Sequence, residues 1–215
     1  MSTNWLKKWE EGDIGFHQGQ FHPQLEKYSS FYSPGTILVP LCGKSLDMLY
    51  LSKAGHSVIG VELSPIACHD FFQENGIKHT ETKVQDFVIY KSENITLWCG
   101  DFFKLPQEVW NQTSGIYDRA AYIALPEEIR LKYAEEITKK APRKFEILMI
   151  TVEYAEGAIQ GPPFSIPEQE VKNLYKEFSI QKLQSETKER VLGDPSKLQT
   201  VGFTETVYWL KRPKA

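Results

Sequence analysis

The chain of 215 residues is 41% hydrophobic and 25% charged, which is typical of one soluble globular domain with a substantial core, so residues 1–215 are predicted to form a single domain. Its net charge is −3 and its Lys and Arg residues are scattered, which argues against nucleic acid or an anionic membrane as a partner. The cysteines form no CxxC pair, and no segment approaches the ~20 apolar residues that cross a bilayer, so we expect a cytoplasmic protein. We also expect it to be a monomer that acts on a small molecule.

The N-terminal segment, residues 1–30, begins with a predicted helix that ends near Gly12. Trp5 and Trp9 lie on one face of that helix, and Phe16 follows shortly after it. One interpretation is that the tryptophans only dock the helix on the domain. The other is that this helical arm is a lid, whose aromatic side chains cover a ligand and exclude water.

Two histidines, His17 and His22, follow the helix and raise the question of a metal site. No third ligand has a suitable spacing, and isolated histidines are more often structural. We assign no metal to the chain.

Residues 36–63 carry the pattern of a βαβ unit. A short apolar, β-branched run leads to a turn containing Gly43, and an amphipathic helical segment then precedes a second apolar run that ends at Glu62. Two parallel strands joined by a right-handed crossover are predicted, and ligands bind beyond the carboxyl ends of such strands. The candidate site therefore lies at two strand tips, one formed by Leu41, Cys42 and Gly43 and the other by Glu62.

The spacing and glycine content of this unit select a ligand. Glu62 follows Gly43 at close to the ~20 residues expected of a carboxylate that binds both hydroxyls of a ribose. The turn lacks the G-x-G-x-x-G of dinucleotide sites, and Leu38 stands where a phosphate-binding loop requires a glycine. A nucleoside without phosphates is favoured, which fits S-adenosylmethionine as the cofactor. The alternative is that Glu62 only ends a strand in solvent.

Two further strands are predicted over 87–90 and 95–99, joined by a hairpin turn. The second should be the third parallel strand. Its tip carries Asp101 and Phe102, which are placed to meet an adenine by a hydrogen bond and by packing. The alternative is that these residues form a simple polar turn.

The next predicted strand, 116–118, is followed by Arg119. An arginine between an apolar strand and two alanines indicates that the side chain faces a ligand or a buried carboxylate. An ion pair with Asp118, Glu127 or Glu128 is the alternative interpretation.

A nearly continuous apolar run over 145–151 predicts a fifth strand that is buried on both faces. The proline-rich loop 161–164 lies beyond its tip, where an acceptor pocket could form. Two final strands, near 178–185 and 202–210, flank a polar segment that contains Arg190.

These motifs together resemble the thiopurine S-methyltransferase family. The likeness spans nearly the whole chain in the family's order and rests on the start from Trp5 to Gln18, Pro40 to Lys44 with Asp47, Gly60 to Glu62, Asp118 to Ala121, and Gly161 to Phe164. The Pro-Leu-Cys-Gly-Lys sequence separates the chain from the related halide and thiocyanate methyltransferases, whose turn is richer in glycine.

The resemblance implies a class I methyltransferase with an α/β fold: a doubly wound, mostly parallel, seven-stranded Rossmann-like sheet with helices on both faces and an N-terminal helical lid. The residues that it assigns to S-adenosylmethionine are Trp5, Trp9, Leu41, Cys42, Gly43, Glu62, Asp101, Phe102 and Arg119. It assigns Phe16 and Arg119 to the acceptor. Arg190 is a weaker match to the family's second substrate arginine.

We therefore predict a metal-free transfer of a methyl group to a small aromatic or heterocyclic thiol. Displacement at a sulfonium requires alignment and a reactive nucleophile rather than a catalytic triad, and Arg119 would favour the thiolate form of the acceptor. Selenium or tellurium oxyanions and other small nucleophiles stay open as acceptors, as does a non-catalytic protein that only binds S-adenosylmethionine. A dehydrogenase or kinase is set aside because the required glycines are missing.

Overall fold

The computed structural model describes residues 2–15, 17–192 and 199–213. Its α-helices are α1 (Ser2–Glu11), α2 (Pro23–Tyr28), α3 (Asp47–Lys53), α4 (Pro65–Glu74), α5 (Gln107–Asn111), α6 (Glu127–Lys140) and α7 (Glu168–Leu174). Its strands are β1 (Thr36–Pro40), β2 (Ser57–Glu62), β3 (Thr80–Val84), β4 (Phe87–Lys91), β5 (Ile95–Cys99), β6 (Gly115–Arg119), β7 (Glu146–Glu153), β8 (Ser179–Leu192) and β9 (Gln199–Lys211). Short 3-10 helices lie at Ser29–Phe31, Phe102–Lys104 and Tyr122–Ala124.

Two compact units make up the chain, Met1–Tyr117 and Asp118–Ala215. In the first unit β1 lies between β2 and β6 and is parallel to both, and β2 is also parallel to β5. β4 and β3 then continue from β5 as antiparallel strands. The register places Pro40 beside Val61 and Glu62 beside Cys99, so the carboxyl ends of β1, β2 and β5 lie side by side.

The centre of the first unit is apolar because β1 and β2 are buried along nearly their whole length. Helices α3 and α4 pack against β2. At Gly60 an added Cβ would lie 2.8 Å from Cys42 Sγ and 2.9 Å from Met48 Sδ, and closer still to Leu97. Glycine at this strand position therefore allows the turn after β1 and helix α3 to approach the strand.

The second unit contains a three-stranded antiparallel ladder in which β9 lies between β7 and β8. β7 pairs with β9 from Glu146 to Glu153 and is buried except at its last residue. β8 pairs with β9 from Ser179 to Leu192, so these two strands extend past the end of β7. Their register shifts between Lys182 and Gln184. Helix α6 begins after Pro126 and buries Tyr133 and Ile137 on one face.

The predicted α/β fold with a parallel centre is confirmed, whereas seven mostly parallel strands is wrong. The described residues form nine strands, and in the first unit parallel pairing is confined to β1, β2, β5 and β6. Strand β3 was missed because its sequence is polar and all its side chains are exposed, so it lacks the alternating pattern of a half-buried strand. The predicted N-terminal helix exists as α1, and its role as a lid stays a prediction.

Candidate active site

The turn that follows β1 contains the predicted residues Leu41, Cys42 and Gly43. Leu41 and Gly43 have φ angles of 47° and 51°, and Leu41 thus adopts a left-handed conformation that residues with a side chain rarely take. The N–H of Cys42 donates to the carbonyl oxygen of Val61 at 3.0 Å. The turn is therefore tied to the carboxyl end of β2.

Glu62, the last residue of β2, is only 7% exposed. Its Oε2 accepts the N–H of Gly43 at 2.8 Å and its Oε1 accepts the N–H of Ser64 at 2.8 Å. Burial raises the pKa of the carboxyl group, and the N–H groups of Ser64 and Gly43 oppose that rise. The alternative of a strand end in solvent is wrong. Because a carboxylate has about four lone-pair positions, Glu62 can also accept the hydroxyls of a ribose.

Trp9 lies against this turn. A Cβ at Gly43 would be 3.1 Å from Cζ2 of Trp9, and the Trp9 side chain is buried. Trp5, four residues earlier on α1, is half-buried. The helix therefore brings at least one of its two tryptophans next to the strand tips, where the lid interpretation requires it.

The tip of β5 joins this group through the backbone, because the N–H of Gly100 donates to the carbonyl oxygen of Glu62 at 2.8 Å. Asp101 is exposed, and its Oδ1 accepts the N–H of Phe103 at 3.0 Å. Phe102 is buried, and its ring packs edge-to-face against Trp110 with the centroids 5.7 Å apart. The Asp101 carboxylate is therefore accessible at the strand tip, whereas Phe102 contributes to the core beneath it.

The chain's cysteines converge under the same strand tips. Cys42, Cys68 and Cys99 are all buried, and the Cys99 thiol donates to the carbonyl oxygen of Leu63 at 3.9 Å. Burial and then the charge of Glu62 raise the pKa of the Cys42 thiol. The Cys42 thiol, next to the turn, is consequently a packing group and not a nucleophile.

Two charged residues beside the turn, Lys44 and Asp47, have structural contacts that sequence reasoning did not find. Asp47 is fully buried, and it accepts the N–H of His22 at 2.8 Å and the hydroxyl of Tyr117 at 3.1 Å. Lys44, also buried, forms an ion pair with Glu74 of α4 at 2.6 Å. Each partner is at least 25 residues away in sequence, so no local pattern indicates these contacts.

Arg119 is the last residue of β6 and is half-buried. The carboxylate of the neighbouring Asp118 accepts the N–H of Tyr122 at 3.0 Å and the hydroxyl of Tyr133 at 2.8 Å. Ala120, the next residue, has a φ of 65°. The strand therefore ends in a tight turn directly after Arg119.

A buried ion pair that sequence reasoning missed stabilises the segment after this turn. Nε of Arg130 donates to Oε1 of Glu170 at 2.6 Å, and its Nη1 donates to the carbonyl oxygen of Leu125 at 2.9 Å. The hydroxyl of Tyr122 also donates to Oε1 of Glu170, at 2.7 Å. The guanidinium carbon lies 5.9 Å from the ring centroid of Phe164, so this ion pair reaches the predicted acceptor loop.

The proline-rich loop 161–164 is anchored by two bonds within the second unit. The N–H of Phe164 donates to the carbonyl oxygen of Ile123 at 2.7 Å. The hydroxyl of Tyr154 donates to the carbonyl oxygen of Pro163, also at 2.7 Å. The Tyr154 ring packs against Phe203 with the centroids 5.1 Å apart. The loop is therefore held beside a cluster of apolar side chains that includes the buried Phe203.

Phe16 lies outside the described residues, and Arg190 pairs with Val201 in the β8–β9 ladder while its side chain is not described. Nδ1 of His22 accepts the N–H of Gln24 and caps α2. Among the residues that the structure describes, no cluster of three His, Cys, Asp or Glu side chains could bind a metal, and no helix could span a bilayer.

Comparison with known proteins gives consistent matches. A profile of the family described as Thiopurine S-methyltransferase matches residues 1–213. The Thiopurine S-methyltransferase of Pseudomonas putida is 38% identical over 214 residues, which cover 97% of this chain and 98% of that protein. Among solved structures, a SAM-dependent methyltransferase from Anabaena variabilis has a TM-score of 0.67 at 15% identity, covering 99% of this chain and 95% of that one. The 1,6-didemethyltoxoflavin-N1-methyltransferase of Burkholderia thailandensis, solved with 1,6-didemethyltoxoflavin and S-adenosylhomocysteine, has a TM-score of 0.64 at 15% identity, covering 98% and 86%.

Proposed function

Because this chain belongs to the thiopurine S-methyltransferase family, it is an S-adenosylmethionine-dependent methyltransferase, and we propose that its acceptor is a small aromatic or heterocyclic thiol. The observation that supports a site for S-adenosylmethionine, the donor in this proposed reaction, is the pair of adjoining strand tips in the first unit. There the buried Glu62 is bonded to the N–H of Gly43, and Trp9 lies against the same glycine.

The residues at these tips fit the cofactor by their chemistry. Glu62 would accept the ribose hydroxyls, and Asp101, the exposed carboxylate at the tip of β5, would accept the adenine amino group. Gly43, with its φ of 51°, would let the backbone approach the ligand without a side chain in between. Trp5 and Trp9 would shield the sulfonium from water and interact with its charge through their aromatic faces.

Arg119 is the residue that we assign to binding the methyl acceptor. It ends a strand that is parallel to β1, and α/β proteins bind ligands beyond the carboxyl ends of parallel strands. S-adenosylmethionine supplies an electrophilic methyl group, so the protein must orient the acceptor and keep its sulfur ionised. A guanidinium beside the sulfur lowers the pKa of the thiol, and a general base is then unnecessary.

The test is a methyl-transfer assay that follows both products by mass spectrometry. The purified protein would be incubated with S-adenosylmethionine and a panel of heterocyclic thiols, aromatic thiols, selenite and tellurite. We expect S-adenosylhomocysteine and the methylated thiol in equal amounts. Methylation of only the oxyanions would reassign the acceptor, and binding of S-adenosylhomocysteine without any methylated product would indicate a non-catalytic binding protein.

Variants of Arg119 test its role separately. Arg119→Lys keeps the charge but loses the planar fork, so turnover of an acidic thiol should fall while cofactor affinity changes less. Arg119→Ala should also move the pH–rate profile upward, because the sulfur must then ionise without a neighbouring cation. Arg143→Ala, which removes an exposed arginine, is the control for loss of one positive charge. Normal rates with a lower melting temperature would make Arg119 a purely structural residue.

A further inference from the structure

The turn after β6 holds a residue in an unfavourable conformation. Ala120 follows Arg119 directly and has a φ of 65°, a region in which a Cβ crowds the backbone. A glycine would adopt this conformation without strain. Such a conformation persists only where surrounding contacts hold it, and residues of this kind concentrate at functional sites.

Asp118 supplies those contacts from the other side of Arg119. It is fully buried, and its Oδ1 accepts the N–H of Tyr122 at 3.0 Å, which closes a loop around the three residues between them. Its Oδ2 accepts the hydroxyl of Tyr133 at 2.8 Å. Because Tyr133 belongs to helix α6, the carboxylate links the turn to that helix as well as closing the turn through Tyr122.

An ionised carboxylate is unfavourable in the buried position of Asp118. Burial raises the pKa of Asp118 to about 6, although the N–H of Tyr122 and the hydroxyl of Tyr133 favour the charged form. The other groups that face it are the hydroxyl of Tyr175 and, beyond Tyr122, the Arg130–Glu170 pair. An ionised group in such an environment opposes folding near neutral pH. Its presence at the position before Arg119 thus calls for a role other than stability.

We propose that Asp118 is a positioning residue for methyl transfer: by bonding the N–H of Tyr122 and the hydroxyl of Tyr133, it holds Ala120 in the left-handed conformation and so fixes the direction in which Arg119 leaves the strand. The inference rests on the proposed function, in which Arg119 contacts the acceptor. Asp118 itself touches neither reactant.

A double-mutant cycle tests this assignment, using kcat/KM for a heterocyclic thiol across the pH range and the affinity for S-adenosylhomocysteine. Asp118→Ala should lower kcat/KM about tenfold, the effect of losing one or two orienting hydrogen bonds. It should also shift the pH–rate profile upward, as Arg119→Ala does, and leave cofactor affinity nearly unchanged. In an Arg119→Ala background, Asp118→Ala should have no further effect on kcat/KM, because its target is absent.

Two further variants keep the test decisive if Asp118→Ala folds poorly. Asp118→Asn retains an acceptor for the N–H of Tyr122, so it should recover most of the rate. Tyr133→Phe keeps the buried ring and removes one anchoring bond. It should lower kcat/KM less than Asp118→Ala does and shift the pH–rate profile in the same direction. Asp47→Ala is the matched control, because Asp47 is equally buried and likewise accepts a backbone N–H and a tyrosine hydroxyl. It should lower the melting temperature without moving the acceptor's pH profile.

The outcomes separate this inference from the function on which it rests. Additive losses of kcat/KM in the double variant would overturn the inference, and so would an Asp118→Ala variant that loses only melting temperature. If Arg119→Ala is defective in the same experiment, the proposed function stays intact. Normal kinetics in Arg119→Ala would overturn the proposed role of Arg119 and the inference with it.

Discussion

Replacement of Glu62 should weaken cofactor binding more than it changes the fold. In the structure each carboxylate oxygen accepts one backbone N–H at 2.8 Å, from Gly43 and from Ser64. A ligand ribose would add charge-assisted hydrogen bonds to the same group, with a net contribution of about 1–3 kcal/mol. We therefore expect Glu62→Ala to weaken S-adenosylmethionine and S-adenosylhomocysteine by ~1–3 kcal/mol, or roughly 5- to 150-fold in Kd.

Glu62→Gln refines this expectation because the side chain keeps its size and one acceptor oxygen. Its amide NH₂ would face the N–H of either Gly43 or Ser64, so we expect a weakening similar to that of Glu62→Ala without a cavity. Isothermal titration calorimetry with S-adenosylhomocysteine measures both variants, and Glu93→Gln, at an exposed position, controls for loss of a carboxylate. Unchanged affinity in folded Glu62 variants would remove this residue from the cofactor site and leave it as a structural acceptor for the turn.

Three further predictions concern the arm, the core and the pH dependence of stability. The amides of residues 5–15 should exchange more slowly with S-adenosylhomocysteine bound, and equal exchange with and without it would contradict a lid. Gly60→Ala should destabilise the chain by ~1–3 kcal/mol in urea unfolding, because its Cβ would collide with three side chains, whereas Gly202→Ala, whose nearest atom would be 3.9 Å away, should have little effect. Asp118, with its pKa raised from 3.8 to about 6, contributes stability below pH ~4 that is lost as the pH rises through 6. The loss should reach ~3 kcal/mol, and urea unfolding from pH 4 to 8 should show it in the native chain but not in Asp118→Asn.

The parallel centre of the fold could be predicted because its residues carry a local signal. The apolar runs at β1 and β2 are short, β-branched and separated by an amphipathic segment, and Gly55 and Glu62 mark where elements end. The polar strand β3 had no such signal. It pairs with β4 along its whole length, and backbone pairing of this kind is open to any sequence that tolerates an extended conformation.

The candidate site shows the same division. The βαβ pattern predicted that Gly43 and Glu62 lie at two neighbouring strand tips, and in the structure the N–H of Gly43 donates to the Glu62 carboxylate at 2.8 Å. Asp47 was used only as part of a motif and Asp118 only in a motif and as an alternative ion-pair partner of Arg119. Their bonds to Tyr117 and Tyr133 were not predicted, because they join residues that are 70 and 15 positions apart in sequence. Such contacts depend on how helices and strands pack together, and no local pattern in a single sequence predicts them.

The burial of all three cysteines makes the chain its own reporter of local opening. An alkylating reagent reacts with a thiol only after that thiol is exposed, so the labelling rate of each cysteine in the folded protein measures how often its surroundings come apart. Cys42, Cys68 and Cys99 stand on three different segments, namely the turn after β1, helix α4 and the end of β5. Labelling followed by mass spectrometry would therefore show whether these segments open together or one at a time, and it requires no introduced probe.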